Sequence, residues 1–231
     1  MDSVLMLRGL SSMATRGVLA ALTAEGAFGL GHLDVRSMGG VEVARRLKDG
    51  ETADVVVLAS DAIEALVGER VVDGQTVLPL FRSDVVVAVP QGAPVPDLSS
   101  VESLKGALLA ARHIGYSTGP SGSALLALVE SFGLTDQLAD RWVQAPAGMP
   151  VAQLLAGGSA ELGFQQRSEL ANAPGVTVVG PMPPGAEIVT TFTGVVPTAS
   201  NHPAEAVAAL ARLAAPKTYT VVRRHALTPV G

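Results

Sequence analysis

The stretch TVLPLFRSDVVVAV, Thr76–Val89, decides the fold. It is a nearly unbroken apolar and β-branched run with Arg82-Ser83-Asp84 in its middle. One strand of that length is unusual, because strands commonly span about five or six residues. The better reading is a segment in which the chain leaves one lobe and enters another. The elements on either side are then expected to form two separate series.

Upstream, short apolar runs alternate with segments of helical spacing. Val4 to Leu7 reads as a strand, ended by Arg8, Gly9 and the Ser11-Ser12 pair. Val18, Leu19, Ala21 and Leu22 follow at the spacing of one buried helical face. Gly26, Gly29 and Gly31 break that helix, Leu33 to Arg36 is the next strand, and Gly39-Gly40 opens a helix bearing Val41, Val43, Ala44 and Leu47. Ala53 to Ala59 is continuous and β-branched, as in a parallel strand buried on both faces. Ser60 and Asp61 then act as capping residues for a helix through Ile63, Leu66 and Val67.

Downstream of the Pro90–Pro96 stretch the alternation resumes. Helix Val101 to Ala111, strand His113 to Tyr116 and helix Ser123 to Phe132 are expected, then helix Val151 to Ala156, strand Ala160 to Phe164 and a short helix near Ser168 to Leu170. Val176 to Val179 and Glu187 to Val196 are strand-like, and the second of these carries the chain back. The alanine-rich helix Ala204 to Ala214 is expected to pack on the first lobe. Alternating strands and helices favour parallel sheets covered on both faces. The expected fold class is therefore α/β, with two Rossmann-like lobes and a hinge. Lobe 1 is expected to comprise 1–82 plus 195–231 and lobe 2 to comprise 83–194, with a ligand cleft between them.

Composition narrows the function. Apolar residues make up 48% of the chain and aromatic residues 3%, which suits packed α/β layers. With no cysteine, disulfides, thiolate metal sites and a cysteine nucleophile are excluded. The net charge of −5, scattered arginines and lack of aromatic stacking platforms argue against a nucleic-acid partner. No apolar run reaches the roughly 18 residues of a membrane span, so no membrane insertion is expected. No secretory signal is visible. Two locations stay open: cytoplasmic if Met1 is the native start, periplasmic if an export signal was removed. His32, His113, His202 and His225 are dispersed without an H-E-x-x-H motif, so neither a metal site nor a cofactor is expected.

In open parallel sheets ligands bind beyond the carboxyl ends of the strands, where helices begin. Four such junctions carry small or polar residues: Gly9 to Ser12, Met38 to Val41, Ser117 to Ser123, and Gly148 to Val151. Unpaired N–H groups and the positive helix end make each an anion-site candidate. For any one junction the bland alternative, a simple cap or turn, holds about two times in three. No phosphate loop, G-x-G-x-x-G or G-x-S-x-G motif occurs. Arg82 is a charge within an apolar stretch and is expected to have a partner, either a ligand carboxylate or Asp84. Gln165-Gln166 either offer amide donors to a ligand or form a solvated helix start.

In their order and spacing these segments resemble the type II periplasmic substrate-binding proteins, in the molybdate-binding branch that includes aconitate isomerase. The resemblance rests on Leu10-Ser11-Ser12, Met38-Gly39-Gly40, Ala53 to Val57, Phe81 to Val89, Gly92 to Asp97, Ile114 to Ser117 and Gly163 to Leu170. It implies a periplasmic-binding-protein type II fold that closes on a ligand. By position it implies ligand contacts from Ser11, Ser12, Gly39 and Gly40 in the first lobe, and from Ser121, Gly122, Val151 and Gln165 in the second. Molybdate binders of this family usually carry a tyrosine at the place of Gln165 or Gln166 and a serine at that of Gly39 or Gly40. Loss of both hydroxyls, together with Arg82, shifts the expected ligand from molybdate toward an organic carboxylate.

Two functions follow from the resemblance. One is capture of a small anionic ligand for an ABC-transporter permease. The other is isomerisation of an unsaturated polycarboxylate by allylic proton transfer. The latter needs a positioned base, for which Tyr116 and Asp61 are the nearest candidates.

Overall fold

The computed structural model describes residues 5–24 and 28–230. Val4 and Gly26, expected as a strand start and a helix breaker, lie outside these residues. The chain divides into two compact units, one of Met1–Arg82 with Thr191–Gly231 and one of Ser83–Thr190.

The first unit begins with β1 (Leu7–Ser12), α1 (Arg16–Thr23), β2 (Leu33–Met38), α2 (Gly40–Lys48), β3 (Val55–Ala59) and α3 (Ser60–Gly68). β2 and β3 flank β1 in parallel register, with Ser11 opposite both Ser37 and Val57. β1 therefore runs past the expected end at Leu7. Its Leu7 and Leu10 are both buried but belong to different cores, because a strand presents alternate residues to opposite faces. Ser11 and Ser12 are strand residues, and α1 starts only after a short 3₁₀ turn over Met13–Thr15.

β3 is buried at every position. Its Val55 and Val57 meet Val18 and Leu22 of α1, together with residues of α9 (Pro203–Leu213) and α10 (Tyr219–Arg224). Val56 and Leu58 face the other way, toward Val43 and Leu47 of α2 and Ile63 and Leu66 of α3. Each such side chain fully buried contributes about 1.5–3 kcal/mol relative to exposure.

Thr76–Val89 is largely one strand after all. β4 (Leu78–Pro90) spans 13 residues without interruption and passes from the first unit to the second at Arg82 and Ser83. Its length has a local cause: each half has its own pairing partner. Phe81 and Arg82 pair with the short β10 (Thr228–Pro229), whereas Val85 to Pro90 pair within the second unit. The return strand β9 (Val189–Val195) pairs antiparallel with β3 in the first unit, Ala59 opposite Phe192.

The second unit adds α4 (Val101–Ala110), β5 (Ile114–Tyr116), α5 (Pro120–Ser131), α6 (Thr135–Leu138), β6 (Trp142–Gln144), α7 (Val151–Ala156), β7 (Leu162–Gln166), α8 (Arg167–Leu170) and β8 (Val176–Pro181). β5 lies parallel between β6 and β7, and β4 lies antiparallel between β7 and β8. Val85, Val87 and Phe164 pack toward Leu104 and Leu108 of α4 and Leu125 and Val129 of α5. Val86 and Ala88 pack toward Val151 and Leu155 of α7. Gly163 lets α7 lie close, since a β-carbon there would stand 2.9 Å from Val151 Cγ1.

Candidate functional site

In the first unit the parallel strands β1, β2 and β3 end at Ser12, Met38 and Ala59, and α2 and α3 start at once after the last two. Ser11 is fully buried, and its hydroxyl lies 2.8 Å from that of Ser37 across the β1–β2 ladder. Ser12 is 8% exposed, and its Oγ is covered yet has no hydrogen-bond partner among the described residues. Buried hydroxyls rarely stand unpaired, so this one requires an explanation.

Ser12 sits beside the start of α2: a β-carbon added to Gly40 would lie 3.9 Å from Ser12 Cβ. Gly39 is the N-cap of that nine-residue helix, no side chain caps it, and nothing lies within 4 Å of where a Gly39 β-carbon would stand. Glu42, in the first turn, is bound by Arg45 and Arg46, which hold its carboxyl down at about 2 and offset its charge. The assembled features are one buried unpaired hydroxyl, a second hydroxyl held by Ser37, and an uncapped helix start facing open space. Such a set of neutral, oriented donors suits an anion.

Ser60 does not cap α3. Its hydroxyl lies 2.7 Å from Thr193 Oγ1 and donates to the Thr191 carbonyl at 3.2 Å, tying β3 to β9. Asp61 is exposed, and its carboxylate accepts the N–H of the next residue, Ala62, at 2.9 Å.

In the second unit β5, β6 and β7 end at Tyr116, Gln144 and Gln166. The Ser117–Gly122 turn into α5 is tight: a β-carbon at Gly122 would fall 2.0 Å from the Ser117 carbonyl oxygen, so only glycine fits. Ser121 is buried, with its hydroxyl 3.0 Å from that of Ser117. The Tyr116 ring packs edge-on against Trp142 at 5.5 Å.

Gln165 and Gln166 correct the expectation of a solvated helix start. Both are strand residues of β7, 2% and 3% exposed. Gln165 faces α7, where its Oε1 accepts the Val151 N–H at 2.8 Å and its Nε2 donates to Glu169 Oε1 at 2.8 Å. The expected unpaired N–H at Val151 is therefore already paired, and the Gln165 amide is committed at both ends. Gln166 is on the opposite face of the strand and donates to Thr190 Oγ1 at 2.6 Å. Among the described residues its Oε1 is buried without a partner, as are the hydroxyls of Ser83 and Ser168.

Glu169 lies in α8, within the Gly163–Leu170 segment. Burial pushes its carboxyl up to about 7, against the opposing effect of the hydrogen bond from Gln165. Nothing in its local sequence distinguishes it from a surface glutamate. Its environment arises from α7, which is distant along the chain.

Arg82 also departs from expectation. It is exposed, and among the described residues its guanidinium makes no hydrogen bond or ion pair. Phe81 and Ser83 take the buried side of β4, so the pleat turns Arg82 outward. Asp84 pairs instead with Arg167 at 3.0 Å.

A separate depression in the first unit, about 320 Å³ of open space, is lined by Arg8, Thr52, Asp54, Asn201 and His202. It lies at the opposite, N-terminal ends of β1 and β3. Asp54 there accepts from the Arg8 N–H at 2.9 Å and the Ser200 hydroxyl at 2.8 Å, which is a structural clamp. Among the described residues no group of three His, Asp or Glu side chains is placed to hold a metal, and no helix is long and apolar enough to cross a membrane.

Comparison with known proteins places this geometry. A family described as bacterial extracellular solute-binding protein matches residues 14–227. An aconitate isomerase from a Pseudomonas species is 35% identical over 192 residues, covering 81% of this chain and 72% of that protein. The periplasmic molybdate-binding protein of Azotobacter vinelandii superposes with a TM-score of 0.80 at 20% identity, covering 97% of this chain and 100% of that one. The sulfate-binding protein SubI of Mycobacterium tuberculosis gives a TM-score of 0.75 at 17% identity, covering 98% and 87%. The chain thus has the type II periplasmic-binding-protein fold, and it belongs to the bacterial extracellular solute-binding protein family, with an aconitate isomerase among its relatives.

Proposed function

We propose that this protein binds a small anion, an organic carboxylate ahead of a tetrahedral oxyanion, at the carboxyl ends of its strands. The carrying observation is the buried, unpaired Ser12 hydroxyl beside the uncapped start of α2 at Gly39 and Gly40. A ligand oxygen there would satisfy the hydroxyl and meet the positive end of the helix. Ser11, held by Ser37, lines the same strand end. In the second unit, Ser121 and Gly122 at the start of α5 are proposed as ligand contacts in their own right. A transporter permease is the partner that a pure binder requires.

A second reading is favoured by the relative named aconitate isomerase. In that chemistry a base removes a proton from an allylic carbon of an unsaturated polycarboxylate and the double bond shifts. The proton returns at the far carbon, and oriented donors stabilise the enolate charge that develops. Tyr116 is the better of the two base candidates. Asp61 is exposed and engaged with its own helix start.

A thermal-shift screen against trans-aconitate, cis-aconitate, citrate, molybdate and sulfate separates these readings, with absorbance of the aconitate samples followed over time. Ligand at about 100 times its dissociation constant adds roughly 2.7 kcal/mol of stability. Stabilisation by aconitate with a static spectrum supports the carboxylate binder, and a changing spectrum supports the isomerase. Stabilisation by molybdate or sulfate alone would overturn the carboxylate preference.

A further inference from the structure

The proposed anion site at the start of α2 has a glutamate where a helix commonly closes on itself. With Gly39 as the N-cap, Gly40 is the first residue of the helix and Glu42 the third. A glutamate at that third position can fold back over the helix start and take an N–H there, as in the capping box. The first-turn N–H groups have no acceptor inside the helix, and a negative charge is favoured beside them. Here the carboxylate is drawn the other way. Its Oε1 and Oε2 accept from Arg45 Nη2 and Nε, both at 2.9 Å, and Oε1 also accepts from Arg46 Nε at 2.6 Å. The two arginines are held in turn from beyond the far end of α2, Arg45 by Asp49 and Arg46 by Glu51. No side chain caps the helix, and the buried hydroxyl of Ser12, the residue beside Gly40, is unpaired among the described residues.

We propose that Arg45 and Arg46 are positioning residues of the anion site: they hold the Glu42 carboxylate off the start of α2 and so keep that start open for a ligand. The inference rests on the anion-binding reading above and deepens it. A carboxylate of the chain and an anionic ligand compete for the same donors, and the tethered carboxylate competes at high effective concentration. Released, Glu42 would be both a competing cap and an unneutralised negative charge. Bound by two guanidinium groups, it is neither. Ion pairs three and four residues apart on a helix commonly do no more than stabilise the helix slightly. Glu102 with Lys105 on α4 is such a pair, in a helix that Ser100 already caps. Glu42 differs because its helix is uncapped and an unpaired buried hydroxyl stands at the same place.

The test is calorimetric titration of trans-aconitate, citrate and molybdate into four forms of the full chain. These are wild type, Glu42→Ala, the double variant Arg45→Ala/Arg46→Ala, and the triple variant combining all three changes. The double variant is expected to bind at least about fivefold more weakly than wild type, the worth of one capping interaction. Glu42→Ala alone should bind at least as tightly as wild type, and in the double variant it should recover most of the loss. A larger gain from Glu42→Ala in the double variant than in wild type is the readout that helix stabilisation or a simple loss of positive charge does not produce. Undiminished affinity in the double variant, a loss that Glu42→Ala does not recover, or weakened binding by Glu42→Ala alone overturns the clamp and leaves the binding reading intact. No binding of any of the three anions to the wild type overturns both.

Discussion

The side-chain oxygen of Gln165 accepts the backbone N–H of Val151 at 2.8 Å, while its amide nitrogen donates to Glu169. A glutamine on a buried strand thus links the first residue of α7 to a carboxyl on α8. α7 has no other side-chain cap, because Pro150 precedes it. The amide is also oriented from one end: an ionised Glu169 can only accept, so it draws the NH₂ group and turns the oxygen toward Val151. This chain of contacts forms part of the framework beneath the second unit's strand ends.

Replacing Gln165 with leucine keeps the volume and removes both bonds. The Val151 N–H and the Glu169 carboxyl are left without their partner in a buried setting, which costs about 1–3 kcal/mol for each group so stranded. Urea unfolding of Gln165→Leu should show a midpoint shifted down by that order with an unchanged slope. An unshifted midpoint would mean that water replaces the amide.

Ser12→Ala should behave in the opposite way. Its hydroxyl is buried and unpaired, so its removal from the unliganded protein is nearly neutral or slightly stabilising. Binding should suffer, because a hydrogen bond to a charged ligand contributes about 1.5–3 kcal/mol, a loss of roughly ten- to a hundredfold in affinity. Thermal melts with and without ligand separate the two effects. A drop in the unliganded melting temperature with unchanged affinity would make Ser12 purely structural.

Glu169 should imprint a pH dependence on stability. Its carboxyl titrates at about 7 in the fold against a reference of 4.5, so between these values the native state holds a proton that the unfolded chain has released. Stability from this group is therefore present at low pH and is lost as pH rises through about 7. Glu169→Gln should match the wild type near pH 4 and exceed it above pH 7, by at most about 3 kcal/mol at 1.36 kcal/mol per unit. Denaturation at a series of pH values checks this, and a constant difference across the series would contradict it.

Much of this architecture was legible from residue pattern. The continuous β-branched run ending at Ala59 gave β3, buried on both faces, and the boundaries of α7 at Val151 and Ala156 agree with the structure. β1 was placed too early because Ser11 and Ser12 are polar, and polar residues at a strand end look like a helix start. Their burial comes from β2 and α2, which a local window does not contain. Arg82 misled for a related reason: a charge in an apolar run suggests a buried pair, whereas the pleat simply turns it outward. β6, α6, α10 and β10 escaped notice because they are short and lack a repeating apolar period. The pairing of Gln165 with Val151 and Glu169 joins different elements, and no spacing rule reveals it.

The most direct test of the anion site at the start of α2 is Gly39→Val. Gly39 has ordinary extended dihedrals, φ −57° and ψ 134°, and open space in front of it. Valine should be accommodated without strain and would fill the volume that a ligand needs. Titration of trans-aconitate, citrate and molybdate into wild type and Gly39→Val should show binding in the first and at least about a tenfold loss in the second, with equal unfolding midpoints. Undiminished affinity in a folded Gly39→Val, or no binding of any of these anions to the wild type, would contradict the assignment.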